Sequence, residues 1–195
     1  MMQAISAQKI LTLNSLIDNA DTVSIVTHTH PDGDALGSGL AVKIYLEQVR
    51  GKKVLFCHED TYSRSLDFLF TAADKENEAF LRSEEKQYRK ALHTSDLIFC
   101  VDCNSFSRAE QFQKTFAGSK SPKILIDHHL NPEIQEFDLC FSETEISSAS
   151  ELAYYILKAM PDVDGDISKL PARCLTALLT GITTDTNNFA NSVFP

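Results

Sequence analysis

The feature that most constrains this chain is an alternation. Short apolar runs rich in β-branched residues, VSIVT (23–27), KVLFC (53–57), DLIFCV (96–101) and KILI (123–126), are separated by stretches with helical patterning. The runs lack the polar alternation of a half-exposed strand, so they suit a sheet covered on both faces. Strands alternating with helices indicate a mainly parallel sheet. The expected fold is therefore α/β and Rossmann-like, with helices on both faces. EFDLCFS (136–142) is a further strand candidate at an edge. The expected helices are the amphipathic N-terminus, ALGSGLAVKIYLEQVR closed by Gly51, SFSRAEQFQKTF, SASELAYYILKAM and LPARCLTALLTGITT. The polar region 65–93 also has a helical look.

The 195 residues suffice for one sizeable core. No run approaches the roughly 20 apolar residues of a membrane span, and the N-terminus does not read as a signal peptide. The net charge of −9 is poorly suited to gripping long duplex nucleic acid. It does not exclude an anionic substrate, because bound cations supply local positive charge. Five scattered cysteines argue against a disulfide framework and for a reducing, cytoplasmic setting. CVDC (100–103) is formally a C-x-x-C, but it lies on a strand and has no second pair, so its thiols read as small buried hydrophobes.

Reactive residues follow the strands. The first ends in His28-Thr-His30-Pro-Asp32-Gly-Asp34, the third in Asp102 and the fourth in Asp127-His128-His129; the last helix ends in Asp185. In parallel sheets ligands bind at the carboxyl ends of strands, so these tips should share one rim. Each has a plain alternative. An Asp after a strand is more often a helix N-cap than a ligand, His30 reads as a loop histidine, and the glycines permit a tight turn. Crowding carboxylates and imidazoles together is nevertheless costly unless cations sit among them. Carboxylates with imidazoles suit Mn²⁺ or Mg²⁺, with Zn²⁺, Fe²⁺ or Co²⁺ as alternatives. The number of candidate ligands suits two ions about 3.5–4 Å apart, an arrangement used to hydrolyse phosphate esters.

With these residues in place, the chain resembles the DHH phosphoesterase superfamily. The resemblance rests on four motifs in order: THTHPDGDALGS, IFCVDC, ILIDHH and GITTDTNNF. It runs from about residue 20 to 190. DCNSFSR and SSASE point more weakly to the bifunctional oligoribonuclease/pAp phosphatase branch. The resemblance implies that His28 and Asp32 bind one metal, that Asp34, His128 and Asp185 bind the other, and that Asp102 bridges them. It implies that His129 faces the substrate phosphate, with Asp127 orienting the adjacent histidine. The catalytic set is thus His129, Asp102 and Asp127, and the implied chemistry is in-line attack by a hydroxide that two metals activate. Arg108 is a candidate phosphate contact, with a surface salt bridge as its alternative. Ser148 and Glu151 form S-x-x-E, a capping box before it is a site support.

The branch carries a second, C-terminal domain (DHHA1-type) with a GGGH-type motif, and this chain has no Gly-Gly. Residues 1–195 therefore read as the catalytic domain alone, with base-selecting residues expected in the absent half; an abbreviated natural protein is the alternative. The leading expectation is a Mn²⁺-dependent phosphoesterase acting on short oligoribonucleotides, pAp-like 3′-phosphonucleotides or products of cyclic dinucleotides. An inorganic pyrophosphatase or exopolyphosphatase on the same core is the first alternative, and a metal- or nucleotide-binding module without turnover is the second. The expected partner is short RNA or a nucleotide, with no membrane, and a homodimer is compatible.

Overall fold

The computed structural model describes residues 5–57, 62–71, 74, 80–81, 92–109 and 113–190. Among the described residues six strands form one sheet: β1 (Thr22–Val26), β2 (Lys53–Cys57), β3 (Phe80–Leu81), β4 (Leu97–Val101), β5 (Lys123–Asp127) and β6 (Leu139–Ser142). Their order is β3-β2-β1-β4-β5-β6, and every neighbouring pair is parallel. This is the doubly wound order expected of a Rossmann-like sheet. The chain leaves β1 on one side to build β2 and returns on the other to build β4, so a crevice opens between the ends of β1 and β4.

Among the described residues, the α-helices with given bounds are α1 (Ala7–Asp18), α2 (Gly33–Gln48), α3 (Gln113–Gly118), α4 (Ala149–Ala159) and α5 (Ala172–Asp185). Side chains alternate across the strands. Leu97, Phe99 and Val101 face a large core shared with α1, α2, α4 and α5, while Ile98 and Cys100 face a smaller one with Leu92, Phe106 and Phe137. Among the described residues, the 3-10 turn Phe106–Ala109 contributes Phe106 and Ala109 to this second core. α2 is buried from Gly33 to Leu46, because GDALGSGLAVKIYL offers no polar face. Gly37 and Gly181 let α2 and α5 touch: a Cβ on Gly37 would lie 2.5 Å from the Ala177 carbonyl and 2.9 Å from the Gly181 amide.

Local structure departs from the sequence reading in three places. The expected strand 136–142 begins only at Leu139, because Ile134–Glu136 forms a 3-10 turn that presents Phe137 to the smaller core. The expected helix SFSRAEQFQKTF is broken into a 3-10 turn, Phe106–Ala109, and the short α3; residues 110–112 lie outside the described residues. Within 65–93, Arg64–Leu69 is a 3-10 turn that buries Leu66 and Leu69, and Phe80–Leu81 pairs with β2 as an edge strand. Tertiary pairing overrides local helical character there; the rest of that helical reading falls mostly outside the described residues. The thiols of Cys57, Cys100, Cys103 and Cys174 are buried and free, and burial pushes Cys57 and Cys174 up to about 12. Among the described residues no helix is long and apolar enough to cross a membrane.

Candidate metal centre

Strand register sets the geometry of the rim. Val26 pairs with Cys100, and Val101 with Ile126. Continued past the strand ends, that register puts His28, Asp102 and Asp127 on neighbouring strands near one level. Asp102 has a left-handed backbone (φ 55°), as do His30 (φ 53°) and Asn131 (φ 56°) in the loops after β1 and β5. Such conformations cost energy in non-glycine residues and recur at functional turns. Cross-links hold the loops together. The Thr29 amide donates to the Arg108 carbonyl at 2.9 Å, and the Asn104 side-chain amide donates to the Leu130 carbonyl at 2.9 Å.

The expected residues meet in three overlapping groups whose ligand atoms lie within 4.8 Å of one another: His28–Asp32–Asp102, Asp34–His128–Asp185 and Asp102–His128–His129. All six expected metal ligands fall within them. Asp102 joins the groups: its Oδ2 is 3.3 Å from His28 Nε2, and its Oδ1 is 3.6 Å from His128 Nε2 and 3.5 Å from His129 Nδ1. His128 Nε2 also lies 3.8 Å from Asp34 and 3.6 Å from Asp185. His30 lies outside these groups.

Each ligand candidate is held from behind. His28 Nδ1 lies 2.6 Å from the Thr29 carbonyl and must donate to it, so Nε2 is the ring nitrogen turned toward Asp32 and Asp102. Asp32 caps α2, its Oδ1 accepting from the amides of Asp34 and Ala35 at 3.0 Å. The capping and ligand readings are thus compatible. Asp34 is seated on the N-terminus of α4, where Ala149 donates to Oδ2 at 2.6 Å and Ser150 to Oδ1 at 2.8 Å. Sequence reasoning missed this cradle. Its only local trace is S-x-x-E, where Ser148 Oγ accepts from the Glu151 amide while Glu151 bonds Ser147 instead of Ser148. Asp127 bonds His129 at both amide and ring. Arg108 is half-buried, and no hydrogen bond or ion pair of its guanidinium is present among the described residues.

Electrostatics tests whether cations fit. Asp102 is 2% exposed, and its Oδ1 accepts no hydrogen bond. Burial, then the charges of Asp34 and Asp32, push its carboxyl well above the usual range. Burial likewise raises Asp34 and Asp185, with His128 opposing in both. A hydrogen bond to Asp127 and the charge of Asp102 raise His129 against its burial. Several carboxylates and imidazoles thus crowd one desolvated place where Asp102 Oδ1 has no hydrogen-bond donor, an arrangement that bound cations would relieve. Hard oxygens with imidazoles are the donor set for Mn²⁺, Mg²⁺ or Zn²⁺. The residues fit divalent cations.

Residues 22–182 match the DHH family, N-terminal domain. Two curated proteins are similar: the cyclic-di-AMP phosphodiesterase PdeA of Listeria monocytogenes, 26% identical over 91% of this chain, and the cyclic-di-AMP phosphodiesterase GdpP of Geobacillus thermodenitrificans, 28% identical over 91%. The match spans only 26% of the length of either relative. Among solved structures, an exopolyphosphatase-related protein from Bacteroides fragilis superposes with a TM-score of 0.89 and 28% identity, over 100% of this chain and 55% of the other. RecJ of Thermus thermophilus in complex with Mn²⁺ superposes at 0.54 with 16% identity, over 95% of this chain and 25% of the other, a likeness of fold.

Proposed function

The chain belongs to the DHH family, of which residues 22–182 form the N-terminal domain, and from that premise we propose a divalent-cation-dependent phosphoesterase that acts on short nucleotides. One observation carries the reading: Asp102, buried and unbonded at Oδ1, stands between two groups of hard ligands at the β1/β4 crevice. His28 and Asp32 would hold one cation and Asp34, His128 and Asp185 the other, with Asp102 shared. Mn²⁺ is the first choice by ligand chemistry, with Mg²⁺, Co²⁺ or Zn²⁺ as alternatives. Bound there, the cations would lower the pKa of water and neutralise phosphate charge.

The chain's own groups do the rest. His129, with Nδ1 donating to Asp127 and its proton affinity raised, presents Nε2 as a donor to a phosphoryl oxygen. The Arg108 guanidinium is available for a second oxygen. Short oligoribonucleotides, pAp-like 3′-phosphonucleotides and linear dinucleotides are the substrates, and the phosphodiesterase names of the two curated relatives support attack on a diester. A DHHA1-type domain outside this chain would complete the grip on substrate. Five free cysteines accord with a cytoplasmic setting.

The test is release of AMP from pApA and pAp by the chain with Mn²⁺. Turnover of pyrophosphate with none of either nucleotide would overturn the reading. It would favour the second, an inorganic pyrophosphatase or exopolyphosphatase, which the likeness to an exopolyphosphatase-related protein supports.

A further inference from the structure

Beside the metal centre, between α4 and α5, lies a cavity of about 200 Å³ that the hydrolytic reading does not use. Ser147, Glu151, Tyr154, Tyr155, Thr186 and Phe189 line it. Two of its lining residues neighbour the site in sequence. Thr186 directly follows Asp185, and Ser147 lies just before the Ala149 amide that holds Asp34. Pockets for drug-sized ligands run from about 300 to 1,000 Å³, so this one takes a single ring system and not a whole nucleotide.

Its walls suit a flat, polar-edged ring. Tyr154 and Tyr155 meet edge to face with centroids 5.2 Å apart. Phe189 is 55% exposed and closes a run of three left-handed residues, Asn187 (φ 50°), Asn188 (φ 57°) and Phe189 (φ 62°). Burial of its ring does not explain that conformation; a bond from its amide to Thr186 Oγ1 at 3.1 Å holds it. Glu151 Oε2 accepts from both the amide and the hydroxyl of Ser147, at 3.0 and 2.5 Å. Its Oε1 accepts nothing among the described residues, and Glu151 is one of the residues lining the cavity.

We propose that this cavity seats a nucleobase of the substrate, one carrying an exocyclic amino group. The aromatic rings take the face of the base, and Glu151 Oε1 accepts from its amino group. The proposal rests on the phosphoester reading and narrows it to nucleotides, with a base contact inside this chain and not only in a second domain.

Calorimetric titration of the chain with AMP and with ribose 5-phosphate, both with Mn²⁺, tests it. Stacking of one base is worth roughly an order of magnitude in affinity or more, so AMP binds about ten-fold tighter than ribose 5-phosphate. Phe189→Ala abolishes that advantage and Phe189→Leu does so in large part, with thermal midpoints unchanged because the ring is exposed. Purine riboside 5′-monophosphate, which lacks the 6-amino group, binds more weakly than AMP, and Glu151→Gln narrows that difference. Equal affinities for AMP and ribose 5-phosphate, absence of binding by either, or an AMP advantage that survives Phe189→Ala overturns the proposal. Hydrolysis is scored separately. A chain that binds AMP through Phe189 yet cleaves no phosphoester refutes the phosphoester reading and leaves the base site standing.

Discussion

Asp127 grips His129 twice, its Oδ2 accepting from the backbone amide and its Oδ1 from ring Nδ1, each at 2.9 Å. The carboxylate is fully buried, so this pair fixes the position of the imidazole and keeps a proton on Nδ1. Asp127→Asn keeps an acceptor for the amide but removes the charge that raises His129. The expected result is a kcat about 10- to 100-fold lower with Mn²⁺ affinity little changed. The group that must stay protonated then loses its proton earlier, so the alkaline limb of the pH–rate profile moves to lower pH. Steady-state kinetics across pH, with a Mn²⁺ titration, checks both.

Asp102 predicts opposite effects on activity and on the metal-free fold. Its raised folded pKa means that the folded state holds a proton the unfolded state has released, from about pH 4 upward. Its contribution to stability is therefore present below the unfolded value and lost as pH rises through the folded one. Asp102→Asn removes that loss, so the chelator-treated variant is at least as stable as the parent at pH 7, while activity falls roughly 1,000-fold. Mn²⁺ at 100 times its dissociation constant stabilises the parent by about 2.7 kcal/mol; the variant gains much less. Thermal melts with and without chelator decide it.

The strand candidates, and the grouping of ligand-type residues at their ends, were legible because each depends on local pattern. VSIV, LIFCV and KILID carry continuous β-branched or aromatic character, and the clustered carboxylates and imidazoles sit where those runs stop. What depends on distant partners was not legible. Phe80–Leu81 is a strand only because β2 offers it an edge. The cradle of Asp34 needs amides more than a hundred residues away. Asp32 was weighed as cap or ligand, and its geometry admits both. That Asp127 serves His129 is a matter of side-chain direction, which spacing does not encode.

Asp96 predicts an acid-sensitive contribution at the opposite end of β1. Its Oδ2 accepts from the Thr22 amide and hydroxyl at 2.8 Å and from the Asp21 amide at 3.1 Å. The bonds from Thr22, then that from Asp21, hold its carboxyl below the usual range. A depressed acid stabilises the fold above the unfolded value near 4 and stops doing so as pH falls through the folded value. The side chain is exposed, so solvent limits the effect to about 1 kcal/mol or less. Asp96→Ala lowers the denaturant midpoint at pH 7, and the gap from the parent closes toward pH 3.

Gly181 links the packing of α5 to the site. A Cβ there would collide with Ser150 Oγ and lie 2.8 Å from Asp34 Oδ1. The Ser150 hydroxyl can rotate away. Asp34 cannot, because two amides of α4 fix it. Gly181→Ala therefore strains the α4–α5 contact by about 1–3 kcal/mol and tilts a candidate ligand. Helix propensity alone would favour alanine by nearly 1 kcal/mol, so a net loss of stability isolates the steric cost. The expected outcome is a lower denaturant midpoint together with weaker Mn²⁺ binding by calorimetry. Ser150→Ala in the same background relieves the hydroxyl clash and recovers stability, while Mn²⁺ binding recovers only as far as Asp34 regains its seat.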